Sequence, residues 1–331
     1  MLKDNFRRIL THATLCGFAV AWASWFGVGW ASAQDVNWPN RPIKMIVNYG
    51  PGGSSDNSIR PLGSGLSAAL GQQIVIENKG GAAGAIGAEA AQKSPPDGYT
   101  FLVTPVAALL ILPQVRKTPY DPFKDFVPVV KHADAISPLT VHPSTGIKSL
   151  KELEAYGKKN PGKLTFGGVG LGTSTQLVAL MVNQALGIDI LYIPYRGAGE
   201  ALPDILGGVV QVFVDPSGLP HVAAGKLNIL GVFNASRHPD YPDTPSMHEV
   251  YPALDVASWF GIFAPAGTPR PIVDKLNAAV TALVKTPETQ TQMLKFALRG
   301  TSTTPEAFAA LMKSDYARYG ELITKYKITM E

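Results

Sequence analysis

The sequence of 331 residues contains one cysteine, Cys16, which lies in an N-terminal segment with the features of a cleaved leader. After its removal the chain can form no disulfide and has no thiolate nucleophile or cysteine-based metal site. The histidines beyond the leader show no metal-ligand spacing such as His-x-x-x-His, and the nucleophile motif Gly-x-Ser-x-Gly does not occur. The sequence therefore predicts no cofactor, no metal site and no enzymatic activity.

Charge is also scarce, because the formal net charge is only +4 and no basic tract or stripe is present. Proteins that bind nucleic acid usually cluster Lys and Arg on one face, so nucleic acid is not an expected partner. Beyond the leader, no apolar run reaches the roughly 20 residues that a membrane-spanning helix needs.

The first 33 residues have the layout of a secretory signal peptide. Lys3, Arg7 and Arg8 form a positive region, an apolar stretch runs from about residue 15 to 30, and Ala31-Ser32-Ala33 is a small-x-small cleavage site. We therefore predict cleavage near Ala33 and export to the periplasm.

Three alternatives to simple cleavage stay open. A retained membrane anchor is disfavoured because Ser24 and several glycines interrupt the apolar stretch. The pair Arg7-Arg8 is compatible with twin-arginine as well as general export. A lipoprotein anchored at Cys16 is disfavoured because Leu15 precedes it, where a small residue is expected.

Beyond the leader, short apolar runs alternate with helix-like segments, a pattern typical of parallel sheets built from βαβ units. The predicted strands are 43–47, 73–76, 100–103, 126–130, 139–142, 164–166, 190–193, 211–214, 229–232 and 259–263. The predicted helices are 56–70, 84–92, 149–159, 174–186, 200–206, 271–284 and 305–326.

So many strands indicate two sheets, and therefore two α/β lobes with mainly parallel sheets and a cleft between them, as in periplasmic binding proteins. We place lobe 1 at 34–131 plus 257–331 and lobe 2 at 132–256, with chain crossings near Lys131 and Val256. Ligands in such folds bind outside the carboxyl ends of the strands.

The loop after the first strand, 49–56, contains Gly52 and Gly53 and leads into a helix that Ser55 or Asp56 could cap. Glycine amides and unpaired N–H groups in the first helical turn favour an anion. This loop is a candidate carboxylate site, and the alternative is a plain βα turn.

The loop 167–174 also joins a strand to a helix. Its Gly170-x-Gly172-x-x-Thr175 pattern approximates a dinucleotide-binding fingerprint, and Asp189 lies at the distance expected of a ribose-binding acid. However, the third glycine is missing and the preceding strand is short. A second anion-binding loop is therefore the better interpretation.

Two further features have competing explanations. The glycine run 80–87 opens another helix, and it serves either close helix packing or the lining of a pocket. Arg196 could pair with a ligand carboxylate, but a solvated or ion-paired arginine is the favoured explanation.

Nine motifs, in order along the chain, resemble the extracytoplasmic solute receptors of tripartite tricarboxylate transporters, also called the Bordetella uptake gene family. They are Trp38-Pro39-x-Arg41-Pro42-Ile43, Pro51-Gly52-Gly53-x-x-Asp56, Glu77-Asn78-Lys79-Gly80, Pro96-Asp97-Gly98-Tyr99-Thr100, Asp125-Phe126-x-Pro128-Val129, Gly170-x-Gly172-Thr173-Ser174, Pro194-Tyr195-Arg196-Gly197, Asp204-x-Leu206-Gly207-Gly208, and Trp259-x-Gly261 through Pro269.

The resemblance implies two lobes that close on a carboxylate, held chiefly by backbone groups and ordered waters from the loops 49–56 and 168–174. It also implies membrane subunits of a tripartite transporter as partners and a monomeric receptor. The predicted ligand-binding residues are Tyr49, Pro51, Gly52, Gly53, Ser54, Asp56, Thr104, Val106, Gly168, Gly170, Gly172, Thr173, Ser174, Tyr195, Arg196 and Asp215.

The function predicted from the resemblance is capture of a di- or tricarboxylate or an aromatic carboxylate for a tripartite transporter. Tyr49, Gln176 and Arg196 depart from the residues common in the family, which leaves the particular ligand open. One alternative is an orphan carboxylate receptor that signals to a sensor protein. A less favoured one is a secreted hydrolase with Ser54, Ser55 or Ser174 as nucleophile, because no base is placed beside any of them.

Overall fold

The computed structural model describes residues 37–171, 173–234, 237–254 and 258–328. Four predictions lie outside the described residues: the signal peptide 1–33, its cleavage near Ala33, the role of Gly172 and the crossing near Val256. Within the described ranges, no helix is both long enough and apolar enough to cross a bilayer.

The secondary structure alternates along the chain as predicted. The strands are β1 (Ile43–Val47), β2 (Ile74–Asn78), β3 (Thr100–Pro105), β4 (Phe126–Ala135), β5 (Ser137–Val141), β6 (Leu164–Val169), β7 (Ile190–Tyr195), β8 (Val212–Val214), β9 (Asn228–Phe233), β10 (Ser258–Pro265) and β11 (Leu298–Gly300). The α-helices are α1 (Ser54–Leu70), α2 (Ala85–Gln92), α3 (Leu112–Val115), α4 (Leu150–Lys159), α5 (Ser174–Leu186), α6 (Ala198–Leu206), α7 (Leu219–Ala223), α8 (Met247–Val250), α9 (Arg270–Val284), α10 (Pro287–Leu294) and α11 (Pro305–Tyr326).

The first sheet has the strand order β11-β4-β10-β3-β1-β2. β1 lies parallel to β2 and β3, with Ile43 opposite Ile74 and Met45 opposite Phe101. α1 connects β1 to β2, and α2 connects β2 to β3, because parallel neighbours need a crossover connection. The loops after β1 and β3 therefore lie at the same edge of this sheet.

The second sheet has the order β7-β6-β8-β5-β9. β6 is parallel to both β7 and β8, with α5 and α6 as the crossover helices. Because β6 and β8 run in the same direction, the loops that follow Val169 and Val214 leave the sheet at the same edge. These loops carry the second glycine-rich segment and Asp215.

The prediction of two lobes with α/β architecture is confirmed, but both sheets are mixed rather than mainly parallel. β10 runs antiparallel to β3 and β4, and β5 runs antiparallel to β8 and β9. The chain passes to the second sheet through β4 and β5, which only Ile136 separates, and returns as β10. β4, which leads out of the first sheet, and β10, which leads back into it, pair with each other in antiparallel orientation.

The lobe boundaries 34–131 plus 257–331 and 132–256 stay a prediction. β4 crosses the first of them, since it runs without interruption from Phe126 to Ala135 and pairs with β10 and β11 in the first sheet. At the other end of the chain, α11 packs on this sheet through Phe308, whose ring centroid lies 5.0 Å from that of Trp259. Trp259 Nε1 also donates to Asp315 Oδ2 at 2.7 Å.

Candidate functional site

A cavity of about 80 Å³ lies where loops from the two sheets meet, and we call it the inner cavity. Its walls are the ends of strands and the starts of helices from both sheets. Ser54 and Ser174, the first residues of α1 and α5, both line it. Of the residues predicted from the sequence, it brings together Tyr49, Ser54, Thr173, Ser174 and Asp215.

A wider cavity of about 430 Å³, the outer cavity, shares Tyr49, Ser54, Val169 and Asp215 with the inner one. Its remaining walls come mainly from three glycine-containing loops. Pro51, Gly53 and Arg196 are the further predicted residues that line it. The shared residues place the outer cavity directly beside the inner one.

The first glycine loop is held by Asp56, which is 1 % exposed. Its Oδ2 accepts from the Gly52 N–H at 2.9 Å and from Arg60 Nε at 2.5 Å, and its Oδ1 accepts from Asn78 Nδ2 at 3.0 Å. Burial raises the pKa of Asp56, but these hydrogen bonds outweigh burial and hold it below the ordinary value. Asp56 therefore positions the loop and does not face either cavity.

Gly52 adopts a φ of 76°, a left-handed conformation that favours glycine. Because its amide is already used by Asp56, Gly52 shapes the turn but offers no free donor to a ligand. The first helical turn of α1 is different, since Gly53 at the N-cap provides no capping side chain in the described structure. The backbone N–H groups in the first turn of α1 therefore have no capping side chain and can donate to a ligand near Ser54.

The second glycine loop is held by two tyrosines on β7. Tyr192 donates from its hydroxyl to the Gly170 carbonyl at 2.6 Å, and the Gly170 N–H donates to the Tyr195 carbonyl at 2.7 Å. A Cβ atom at Gly168 would lie 2.2 Å from the Tyr192 ring, so a larger residue there would displace Tyr192. Gly168 and Gly170 therefore support the loop without lining either cavity.

Asp215 follows β8 and is 8 % exposed. Its Oδ1 accepts from the Ser54 hydroxyl at 2.6 Å and from the Ser217 N–H at 2.8 Å. The hydrogen bond from Ser54 joins the first sheet's α1 to the second sheet's β8 loop across the cavity. Burial raises the pKa of the Asp215 carboxyl, and the hydrogen bonds from Ser54 and Ser217 only partly oppose that rise.

Tyr49 and Arg196 approach the cavities in different ways. The buried Tyr49 donates from its hydroxyl to the Ala83 carbonyl at 2.9 Å, which fixes the ring as a wall of both cavities. Burial raises the pKa of Tyr49, so it stays neutral. Arg196 is exposed at the outer cavity, and its backbone N–H donates to Glu200 Oε2 at 3.3 Å.

Three predicted residues lie behind the cavity walls. Thr104 Oγ1 accepts from Asn48 Nδ2 at 2.9 Å in the interior of the first sheet. Val106 is buried at the start of the π-helical turn Ala107–Ile111. The Tyr195 hydroxyl donates to Asp204 Oδ2 at 2.7 Å and so braces α6 against β7.

The glycine run 80–87 serves both of the purposes considered from the sequence. Gly80 and Gly81 line the outer cavity. A Cβ at Gly84 would lie 2.6 Å from Asn48 Nδ2, and one at Gly87 would lie 2.6 Å from the Lys79 carbonyl. The later glycines therefore allow α2 to pack closely against the first sheet.

Sequence reasoning missed most of the apolar wall of the inner cavity. Several of these residues stand at or next to the carboxyl end of a strand, a position that the ligand rule for α/β sheets points to. Pro105 and Ala107 line the inner cavity and belong to the segment 104–107, which the family resemblance implies as part of the pocket. The lining residues that were not predicted are Ala135, Ser137, Val169, Thr175, Val178, Val214, Pro216, Phe233, Ser258 and Phe260.

Comparison with known proteins identifies the family. The model of the tripartite tricarboxylate transporter family receptor matches residues 59–328. The protein BugT of Bordetella pertussis is 33% identical over 294 residues, which are 86% of this chain and 89% of BugT.

Two solved structures extend the similarity to the fold. The periplasmic binding protein BugD superposes with a TM-score of 0.83 at 33% identity, covering 89% of this chain and 100% of BugD. The R. palustris protein Rpa4515 with adipate gives a TM-score of 0.83 at 30% identity, covering 88% of this chain and 99% of Rpa4515.

These matches confirm the family resemblance found in the sequence motifs. They also confirm the prediction that the chain is not an enzyme, because the family consists of receptors that bind solutes. The fold, the coverage and the family model agree over nearly all of the described residues. The chain belongs to the tripartite tricarboxylate transporter receptor family of periplasmic solute-binding proteins.

Proposed function

We propose that this receptor captures a small carboxylate, either a di- or tricarboxylate or an aromatic carboxylate, for a tripartite tricarboxylate-type transporter. The observation that carries the proposal is the presence of two helix N-termini, at Ser54 and Ser174, in the walls of one cavity. The N-terminal end of a helix favours negative charge through its unpaired N–H groups and its dipole. The adipate in the related R. palustris structure supports the same ligand class.

The carboxylate is held by neutral donors in this proposal. Among the described residues that line the inner cavity there is no Lys, Arg or His. A buried counter-charge would have to lose its hydration before it could pair with the ligand, and neutral dipoles avoid that cost. Closure of the lobes excludes water from the site and strengthens each hydrogen bond.

The ligand body extends from the inner cavity towards the outer one. Pockets for small molecules usually measure several hundred Å³, and the inner cavity of about 80 Å³ is well below that range. The apolar residues Val178, Phe233 and Phe260 line the inner cavity and suit the hydrocarbon part of a carboxylate. Binding of the ligand between the two lobes favours the closed form, which is the form that the membrane subunits recognise.

The proposal includes the cellular setting predicted from the sequence. The chain is exported by a signal peptide cleaved near Ala33, acts as a monomer in the periplasm and delivers its ligand to membrane subunits. Adjacent genes for one large and one small membrane protein would support delivery to a transporter. Their absence would favour the alternative of an orphan receptor that signals to a sensor.

The purified receptor is expected to bind at least one carboxylate in a panel of C4 to C8 dicarboxylates, citrate, benzoate and phenylacetate. Isothermal titration calorimetry measures the affinity, and a thermal shift gives an independent readout. A ligand present at 100 times its dissociation constant stabilises the folded state by about 2.7 kcal/mol. Binding of sugars or metal cations in place of every carboxylate would refute the proposed function.

Filling the inner cavity is expected to weaken carboxylate binding by about tenfold or more, which corresponds to at least 1.4 kcal/mol. The variant is Ser174→Tyr, because Ser174 opens α5 and lines the inner cavity. Ala282→Tyr on the exposed face of α9 is the matched control and is expected to bind normally. Equal affinities for the two variants, with equal melting temperatures, would show that the ligand binds elsewhere.

A further inference from the structure

The two carboxyl oxygens of Asp215 differ: Oδ1 accepts hydrogen bonds from the chain, whereas Oδ2 is open to the cavity. Both hydrogen bonds of this side chain, from the Ser54 hydroxyl and the Ser217 N–H, end on Oδ1. Across the described ranges of the chain, no donor reaches Oδ2. Only 8 % of Asp215 is exposed, and the residue lines both cavities. Oδ2 is not one of the fully buried polar atoms, so it is open to the cavity, where a donor on a bound ligand can reach it.

Asp215 also lacks a counter-ion among the described residues. It takes part in no ion pair there, and the lining of the inner cavity contributes no cationic side chain. Arg196 belongs to the outer cavity only, where it is exposed. A ligand in the inner cavity therefore lies next to the carboxylate of Asp215, whose charge no cationic side chain of the lining offsets.

We propose that Asp215 is a specificity-determining residue, which selects carboxylates that also carry a hydrogen-bond donor, either a hydroxyl or an ammonium group. This inference rests on the proposed function and names its ligand class more closely. The donor of the ligand binds Asp215 Oδ2, while the ligand carboxylate lies at the helix N-termini near Ser174. A hydroxycarboxylate and an aminocarboxylate both satisfy this arrangement.

The selectivity follows from what happens to a ligand without the donor. Every carboxylate ligand brings a negative charge close to Asp215, and like charges in one site repel each other, but an unsubstituted carboxylate offers Oδ2 no donor that would offset this repulsion. A donor that binds a charged acceptor forms a shorter and stronger hydrogen bond than a neutral pair does. Sites that are built to bind a polar group reject analogues that lack it, because their own buried groups then remain unpaired.

A purely structural role for Asp215 predicts something different. In that case its value lies in the hydrogen bond from Ser54, which joins the loops of the two sheets. Ser54→Ala removes this bond but keeps the Asp215 carboxylate in the cavity. A structural role predicts that Ser54→Ala and Asp215→Asn weaken all carboxylates alike, whereas the proposed role predicts that only Asp215→Asn changes the preference among them.

The experiment is calorimetric titration with matched sets of acids that differ only in the donor. The sets are succinate, malate and aspartate; glutarate, 2-hydroxyglutarate and glutamate; and phenylacetate, mandelate and phenylglycine. For the set that binds best, wild-type receptor is expected to prefer a donor-bearing acid over the unsubstituted one by about tenfold or more. Asp215→Asn is expected to reduce the preference below about threefold and to bind the unsubstituted acid more tightly.

The control variant is Asp189→Asn, which neutralises an exposed carboxylate of the second sheet that lines neither cavity. It is expected to keep the wild-type preference, and so is Ser54→Ala. Equal binding of donor-bearing and unsubstituted acids by the wild type would overturn the inference. This test needs no variant, so it remains decisive even if Asp215→Asn does not fold. A preference that persists in folded Asp215→Asn would also overturn it.

The outcomes separate this inference from the proposed function. If unsubstituted and substituted acids bind wild-type receptor equally, the receptor still captures carboxylates and only the role of Asp215 is refuted. If no acid of any set binds, the proposed function fails and the inference fails with it.

Discussion

Gly87→Ala is expected to lower the free energy of unfolding by about 3 kcal/mol, because overpacking a rigid contact forces the backbone to shift. Gly87 lies in α2 and is buried against the ends of β1 and β2. A Cβ added there would lie 2.6 Å from the Lys79 carbonyl and 2.7 Å from Asn48 Cα. Both contacts are with backbone atoms, which cannot rotate away as a flexible side chain can.

The same substitution has a consequence for the cavity walls. Asn48 Nδ2 donates to the Gly84 carbonyl at 3.1 Å, and the Tyr49 hydroxyl donates to the Ala83 carbonyl at 2.9 Å. If α2 moves outwards, both hydrogen bonds lengthen and the Tyr49 ring loses its anchor. We therefore expect carboxylate affinity to fall together with stability in Gly87→Ala.

Gly63→Ala is the matched control, since Gly63 also lies inside a helix, α1. A Cβ there would meet only Ile76 Cδ1 at 3.6 Å, an ordinary contact. Removing a glycine from a helix interior stabilises the folded state by about 0.5–1 kcal/mol when the site has room. Urea denaturation of the three proteins measures the difference. Similar stabilities for Gly87→Ala and Gly63→Ala would mean that the close approach of α2 is not a constraint.

Acid is expected to destabilise the wild-type receptor more than a His132→Gln variant. His132 lies on β4 and is 0 % exposed. Ser58 Oγ donates to the Ser55 carbonyl at 2.8 Å, so it must accept from His132 Nε2, which lies 3.0 Å away. The proton therefore sits on Nε2, and Nδ1 is buried without a partner among the described residues.

The sign of the pH effect follows from the two pKa values of this histidine. Burial lowers the pKa of His132 from 6.5 to about 3 in the folded protein. Between these values the unfolded chain binds a proton that the folded state does not, so stability falls as the pH falls. Lowering the pH from 7 to 4.5 is expected to cost the wild type about 2.5 kcal/mol through this residue.

Other buried groups also contribute to the pH dependence of stability, which is why the comparison uses a variant. Burial raises the pKa of Asp215, and this contributes stability at low pH that is lost as the pH rises, the opposite sign to His132. The difference between wild type and His132→Gln cancels that contribution. His248→Gln, at an exposed histidine of α8, is the control and should follow the wild type. Parallel stability curves for His132→Gln and wild type would contradict the prediction.

The sequence predicts the regular elements best where their ends are marked by local chemistry. α5 and α11 have the predicted bounds, 174–186 and 305–326. Glycine in a left-handed conformation follows α5 at Gly187, with a φ of 63°, and Pro305 opens α11. Both signals depend on a single residue and its own backbone, so they survive without knowledge of the tertiary structure.

Elements that depend on distant partners were missed or shortened. The sequence predicts that β4 ends at Val130, yet it continues to Ala135. His132 is polar but is buried against Ser58 of α1, and no local sequence pattern predicts this contact. β11 has only three residues and exists because it pairs with β4, so its sequence carries too little periodicity to be recognised.

The candidate site, too, can be predicted from the sequence only in part. The position of two glycine loops before helices follows from the sequence, and the structure brings Ser54 and Ser174 to one cavity. Which loop amides are free does not follow, because Asp56 and the carbonyl of Tyr195 already occupy those of Gly52 and Gly170. Such assignments require the three-dimensional positions of acceptors that lie 4 and 25 residues away in the chain.

The absence of cationic side chains from the described lining of the inner cavity also bears on the surroundings in which the receptor works. Dissolved ions largely screen the interaction of exposed charges that lie more than a Debye length apart, about 8 Å at physiological ionic strength, but they screen buried groups much less. Under the proposed function, the affinity for a carboxylate is therefore expected to change little with the ionic strength of the medium.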